Sequence, residues 1–167
     1  ASGGITANTA AANINLNTWT GAVTVANTYG SGTNVSIVDA SDPDSSNDSF
    51  TQTGSNVTFT GISNANSNGS LQIVGSNNVS FTGNLTTGGV LNVTAGGDIL
   101  ATSALNVTGA ATFNATGGSN VSLGNTSNVF GGSVTFASAG TLNNVTVADS
   151  TDFNLGALSV TNNLNVT

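Results

Sequence analysis

Apolar and polar residues alternate in short segments along most of the chain. In Val57-Thr58-Phe59, for example, two apolar side chains share one face of an extended backbone and a small polar one takes the other. Clusters of Gly, Asn and Ser separate the segments, as turns require, and these residues are poor helix formers. The pattern predicts an all-β chain, with segments of this kind at 23–25, 35–37, 57–59, 79–81, 91–93, 105–107, 121–123, 134–136, 145–147 and 158–160.

The alternating segments recur at a nearly constant spacing. Gly32–Ile37 and Gly54–Phe59 match at an offset of 22, and Gly75–Phe81 repeats the motif with one additional Asn. Stacked coils bury a continuous core that no single coil could bury, so the repeat predicts a β-solenoid with about 22 residues per coil. The alternative is a β-sandwich, which gives no reason for apolar positions at a constant offset. Positions spaced by 22 residues are apolar along the series Val35, Val57, Val79, Ala101, Leu123 and Val145.

Two parts of the chain depart from this repeat. Residues 1–30 fit the period less well and are expected to form an irregular first coil or cap, whereas residues 31–167 are expected to form the solenoid. Residues 39–48 read as an acidic loop inserted between two coils. Asn34, Asn56, Asn78 and Asn144 recur at turn positions, where stacked amides predict a ladder along the axis.

The charged residues exclude several classes of function. The chain has no Lys, Arg, His, Cys or Met, and its seven Asp give a net charge of −7. Without basic side chains nothing neutralises phosphates, so nucleic acid is not an expected partner. Without His, Cys or Lys the usual general bases, zinc ligands and Schiff-base lysines are missing, so we expect no enzyme activity. No apolar run approaches the roughly 18 residues of a membrane helix.

The lack of lysine and arginine also has a structural interpretation. A stacked rod repeats each outward side chain about every 4.8 Å, so a charged position that recurred in every coil would place like charges in a row. Neutral Asn, Ser, Thr and Gly, which together make up 95 of the 167 residues, avoid this repulsion.

The acidic loop is the one candidate metal site. Asp39, Asp42, Asp44 and Asp48 place four carboxylates in ten residues, with several Ser between them. Ca²⁺ takes six to eight oxygen ligands from loops of this kind, although the spacing is not that of an EF-hand. A solvated acidic turn is the alternative. No cofactor is required on either interpretation.

The coil at 89–99, Gly-Val-Leu-Asn-Val-Thr-Ala-Gly-Gly-Asp-Ile, resembles the repeat region of filamentous-haemagglutinin-type exoproteins and of β-helical autotransporter passengers. The resemblance covers roughly residues 50–167. It implies a right-handed parallel β-helix that serves as a shaft on Gram-negative surfaces, and therefore a secreted, extracellular or cell-surface location. The Asn-Pro-Asn triplets of that family's amino-terminal secretion domain are not present in this sequence.

The sequence leaves three classes of function open. The first is a structural shaft of an adhesin or matrix fibre whose partners are neighbouring repeats of a longer chain, further copies stacked end to end, or host and matrix glycans. The second is an ice-binding solenoid, in which a row of Thr would line one face. Positions spaced by 22 residues are Thr58, Ser80, Thr102, Gly124 and Thr146, so the row of Thr is interrupted. The third is a β-helix that binds or cleaves polysaccharides, for which Asp149 and Asp152 are the candidate carboxylate pair.

Overall fold

The computed structural model describes residues 48–52, 56–64 and 70–167, together with the strands at 5–9, 13–17, 23–27 and 33–39. Side-chain burial is described at 49–51, 56–61 and 70–167. Within these residues the chain forms strands and turns and no helix. The strands are β1 Ile5–Thr9, β2 Asn13–Asn17, β3 Val23–Asn27, β4 Thr33–Asp39, β5 Asp48–Gln52, β6 Val57–Asn64, β7 Leu71–Gly75, β8 Val79–Phe81, β9 Leu85–Thr87, β10 Leu91–Ala95, β11 Ile99–Ala101, β12 Leu105–Val107, β13 Ala111–Ala115, β14 Val121–Leu123, β15 Val129–Phe130, β16 Val134–Ala137, β17 Val145–Val147 and β18 Leu164–Val166.

The strands stack in two parallel sheets that run along one axis. A seven-stranded sheet has the order β1-β3-β5-β7-β10-β13-β16. An eleven-stranded sheet contains the other strands, and the long strand β6 joins its two rows because it pairs with both β8 and β9. Between Leu71 and Phe130 each coil therefore contributes three short strands, one to the first sheet and two to the second. The predicted parallel β-solenoid is confirmed.

The alternating pattern decides which side chains enter the core. Along β10 the inward residues Leu91, Val93 and Ala95 are buried and the intervening Asn92 and Thr94 are only partly so. The same alternation holds in β7, β8, β9 and β11 to β14. Each coil contributes only a few apolar side chains, so the core becomes continuous only through stacking.

Coil length varies more than the sequence repeat predicted. The register step is 22 from Val57 to Val79, 20 from Val79 to Ile99, 22 from Ile99 to Val121 and 24 from Val121 to Val145. The partner of Val79 is thus Ile99 and not the expected Ala101. The error was invisible in the sequence because a slip of two residues on a strand lands on another inward, apolar position.

Aromatic residues stack in the core where the register superposes them. Phe59 lies opposite Phe81 with ring centroids 5.3 Å apart, and Phe113 lies opposite Phe136 at 5.8 Å. Phe130 contacts Phe113 edge to face at 6.1 Å. The two opposed pairs link consecutive coils, whereas the contact between Phe113 and Phe130 crosses the core within one coil. Phe is the largest side chain of the core.

The first coils belong to the same two sheets. β1 pairs in parallel with β3, and β2 with β4. The expected irregular cap at residues 1–30 stays a prediction, because the residues between these strands lie outside the described part. Asp39 ends β4 in one sheet and Asp48 begins β5 in the other, so the acidic segment connects the two sheets.

Candidate functional site: a polar ladder along the solenoid axis

Polar side chains form a ladder at the turn that precedes the middle strand of each coil. The backbone N–H of Asn78 donates to Oδ1 of Asn56 at 3.2 Å, and that of Asp98 donates to Oδ1 of Asn78 at 2.8 Å. The N–H of Asn120 then donates to Oδ1 of Asp98 at 2.7 Å. Each side chain thus satisfies the backbone of the following coil, which a turn cannot do with its own residues alone.

Beyond Asn120 the donors are side-chain amides instead of backbone N–H groups, and the ladder divides into two rows. The side-chain amides of Asn143 and Asn144 both donate to Oδ1 of Asn120, at 3.1 and 2.8 Å. Asn163 donates its amide to Oδ1 of Asn144 at 3.0 Å, and Asn162 does the same to Asn143. The extra Asn at 143 and at 162 therefore builds a second row beside the first.

The sequence predicted this ladder in part. Asn56, Asn78 and Asn144 take the predicted positions, whereas Asn34 does not, since it lies opposite Thr58 within a strand. Sequence reasoning missed Asp98 and Asn120. The signal that could have found them is their place directly before a strand, at the same position as Asn78 and Asn144.

A glycine makes room for one of the ladder contacts. A Cβ at Gly97 would lie 2.2 Å from Oδ1 of Asn78, the atom that accepts from Asp98. At the neighbouring Gly96 a Cβ would lie 1.9 Å from the backbone oxygen of Ser76. The Gly-Gly pair before Asp98 therefore lets two coils approach closely enough for the ladder to form.

A shallow groove lies beside the ladder on the outer face of the second sheet. It has a volume of about 250 Å³ and is lined by Asn78, Ser80, Asp98, Ile99, Leu100, Asn120 and Ser122. Leu100 is 40% exposed and takes the outward position between Ser80 and Ser122. The outward-facing residues of successive coils on this face are therefore Thr58, Ser80, Leu100, Ser122 and Thr146. This row differs from the one expected for positions spaced by 22 residues.

Asn128 is a buried polar residue that the sequence analysis did not single out. It is fully buried, and Oδ1 accepts from the N–H of Leu105 at 2.9 Å. Its amide donates to the backbone oxygens of Leu123 at 2.7 Å and Ala148 at 3.1 Å. One side chain thus holds three successive coils together, and its polar atoms are satisfied.

Asp149 and Asp152, the candidate carboxylate pair, occupy different surroundings. Oδ1 of Asp149 accepts from the N–H of Phe130 at 3.2 Å and from the N–H and hydroxyl of Thr151. Oδ2 of Asp149 is shielded from solvent and lacks a hydrogen-bond partner, whereas Asp152 is exposed. The Thr151 contacts of Asp149 stabilise the turn that follows β17, and its Phe130 contact joins that turn to β15 of the preceding coil.

The candidate calcium ligands lie at the edge of what the structure describes. Asp39 and Asp48 are placed as strand ends, and Asp42 and Asp44 lie outside the described residues. Elsewhere in the described part of the chain, no three Asp side chains gather in a group that could hold a metal ion. The Ca²⁺ site therefore stays a prediction.

Comparison with known proteins supports a repeat architecture. Residues 68–137 match the model of a family described as "Repeats of unknown function (DUF5649)". The match begins just before β7 and ends at the last residue of β16, so it spans three whole coils and the first strand of a fourth, 70 of the 167 residues. No curated protein and no solved structure matches the chain. Over the described residues there is no helix long and apolar enough to cross a membrane.

Proposed function

We propose that the chain is a structural shaft segment of a secreted or surface-displayed bacterial adhesin or extracellular matrix fibre, of the filamentous-haemagglutinin-like or autotransporter-passenger type. The observation that carries this proposal is the unbroken polar ladder from Asn56 through Asn78, Asp98, Asn120 and Asn144 to Asn163. It runs beside two parallel sheets whose hydrogen bonds also point along the axis.

This arrangement suits a load-bearing role. The strand-to-strand hydrogen bonds lie parallel to the rod axis, so a force along the axis acts on the contact between one coil and the next. Each coil contacts only its neighbours, so the shaft yields one coil at a time rather than all at once. The side chains that span three coils, above all Asn128, strengthen these contacts.

The composition favours the same function. The chain has no cysteine, so its stability comes from stacking and hydrogen bonding and not from disulfides. It has no Lys or Arg, so it contains no site for trypsin-like proteases, which suits a protein exposed outside the cell. The chemistry-bearing residues of most enzymes are missing from the sequence, and we propose no catalytic role.

Single-molecule force spectroscopy tests the shaft. A single chain pulled through handles at its two ends is expected to lengthen in steps of about 70 Å, which is one coil of roughly 20 residues at full extension. Gly96→Ala, which forces two coils apart, is expected to lower the step force, whereas Asp152→Ala at an exposed position leaves it unchanged. Extension without force steps would contradict the proposal.

For the adhesive role, we propose host or matrix glycans as lateral partners. The groove beside Leu100 combines amide and hydroxyl groups and the carboxylate of Asp98 with one exposed aliphatic side chain, which suits an uncharged polyhydroxylated ligand. Binding of the chain to a panel of immobilised neutral polysaccharides is expected to weaken in Leu100→Asp. Equal binding by Leu100→Asp and the native chain, or none by either, would exclude this groove as a glycan site.

A further inference from the structure

One oxygen of the Asp98 carboxylate is held by the polar ladder, and the other is open. Oδ1 accepts both the backbone N–H and the side-chain amide of Asn120, at 2.7 and 3.3 Å. Oδ2 accepts no hydrogen bond from the described residues and, unlike Oδ2 of Asp149, it is not shielded from solvent. The ladder therefore fixes the direction of this carboxylate in advance and leaves one of its oxygens for a ligand.

The open carboxylate lines the groove on the outer face of the second sheet. Beside it the groove has two amides, two hydroxyls and one half-exposed aliphatic side chain, which belong to Asn78, Asn120, Ser80, Ser122 and Leu100. The groove has a volume of about 250 Å³, whereas pockets for drug-sized ligands range from about 300 to 1,000 Å³. It therefore has room for little more than one sugar unit of a longer glycan chain.

The charge of the groove and of the chain favours a cationic occupant over an anionic one. The chain has no Lys, Arg or His, and its seven Asp give a net charge of −7. A glycan that carries carboxylate or sulfate groups would be repelled by Asp98 in the groove and by the whole chain at longer range. A glycan that carries protonated amino groups is attracted at both distances.

We propose that this groove selects a glycan whose sugar units carry free amino groups, with an ammonium on Oδ2 of Asp98 and the apolar face of the ring on Leu100. An uncharged sugar fits the same groove and donates a hydroxyl to Oδ2. An ammonium in place of that hydroxyl makes both partners of the hydrogen bond charged and so strengthens it. Because Oδ2 is open to solvent, the gain is that of a screened pair, about fivefold in affinity. This inference rests on the proposed function, since it names the class of glycan that the groove prefers.

Two oligosaccharides with the same backbone test the role of the amino group. Isothermal titration at mildly acidic pH is expected to show that the native chain binds an oligomer of glucosamine about fivefold more tightly than the equally linked oligomer of N-acetylglucosamine. Asp98→Asn keeps an acceptor oxygen for the ladder but removes the charge, so it is expected to abolish this preference. Asp152→Asn is the matched control, because it removes the same charge at an exposed position outside the groove. Far-UV circular dichroism checks that both variants fold.

Leu100→Ala separates this inference from the proposed glycan groove. It removes the aliphatic contact that both oligomers share, so it is expected to weaken both by a similar factor and to keep the preference for glucosamine. A native chain that binds both oligomers equally, and loses both in Leu100→Ala, would overturn the inference and leave the glycan groove in place. Binding of neither oligomer would overturn the inference too, and the panel of neutral polysaccharides then decides whether the groove binds glycans. An equal loss of preference in Asp98→Asn and Asp152→Asn would also overturn it, because the amine would then respond to the net charge of the chain and not to the groove.

Discussion

Asn120 donates its backbone N–H at 2.7 Å and its side-chain amide at 3.3 Å to one oxygen, Oδ1 of Asp98. Asp98 is the only carboxylate in the described ladder, and its neighbours on both sides, Asn78 and Asn120, are amides. A single charge placed between amides has no like charge stacked on it and gains charge-assisted hydrogen bonds. This explains how one aspartate fits in a rod that otherwise repeats neutral side chains.

The Asp98 contact is the first test of the ladder. Asp98→Ala is expected to lower the free energy of unfolding by about 1–2 kcal/mol, because the N–H of Asn120 loses its acceptor. Asp98→Asn keeps an acceptor oxygen and is expected to cost less than Asp98→Ala. Urea unfolding followed by circular dichroism measures both, with Asp152→Ala at an exposed position as the control. Equal stability of Asp98→Ala and the native chain would show that the ladder does not stabilise the fold.

Because the coils approach closely at some turns and not at others, the same substitution at two glycines is expected to have very different effects on stability. Gly96→Ala would place a Cβ 1.9 Å from the backbone oxygen of Ser76 and is expected to cost about 2–4 kcal/mol, because backbone must move. Gly61→Ala meets nothing within 4 Å and is expected to stay within about 0.5 kcal/mol of the native chain. Thermal unfolding of both variants gives the comparison. Similar melting temperatures would mean that the turns have room to spread.

Because the side-chain amide of Asn128 is buried and fully hydrogen-bonded, replacing it is expected to destabilise the fold strongly. Asn128→Ala leaves the N–H of Leu105 without its acceptor and removes the amide donor from the oxygens of Leu123 and Ala148, so a loss of about 2–4 kcal/mol is expected. Asn106→Ala, on an exposed strand position, is expected to be nearly neutral. Hydrogen exchange should show faster exchange at Leu105 in Asn128→Ala. Unchanged protection there would contradict the proposed bridge.

The acidic loop carries a separate prediction. Titration of the chain with Ca²⁺ is expected to release or absorb heat if Asp39, Asp42, Asp44 and Asp48 bind the ion. The double variant Asp42→Asn with Asp44→Asn removes two charges and is expected to abolish the signal. Asp149→Asn with Asp152→Asn removes the same charge elsewhere and serves as the control. Absence of heat with the native chain would exclude the site.

The sequence by itself determined the class of fold, because a period of two residues fixes strands and a period near 22 fixes stacking. It also placed Asn56, Asn78 and Asn144 at turns, since an amide before an apolar strand is a local signal. It could not fix the partner of each residue. Val79 pairs with Ile99, and a slip of two residues keeps the same face inward, so hydrophobicity alone cannot distinguish the registers.

The tertiary structure alone decided which polar residues meet. Asp98 and Asn128 look like ordinary turn residues, and their roles appear only when coils separated by 20 or more positions stack at the observed register. Local pattern thus sets how each strand is built, whereas variable turn lengths, which leave no periodic signal, set which atoms come into contact.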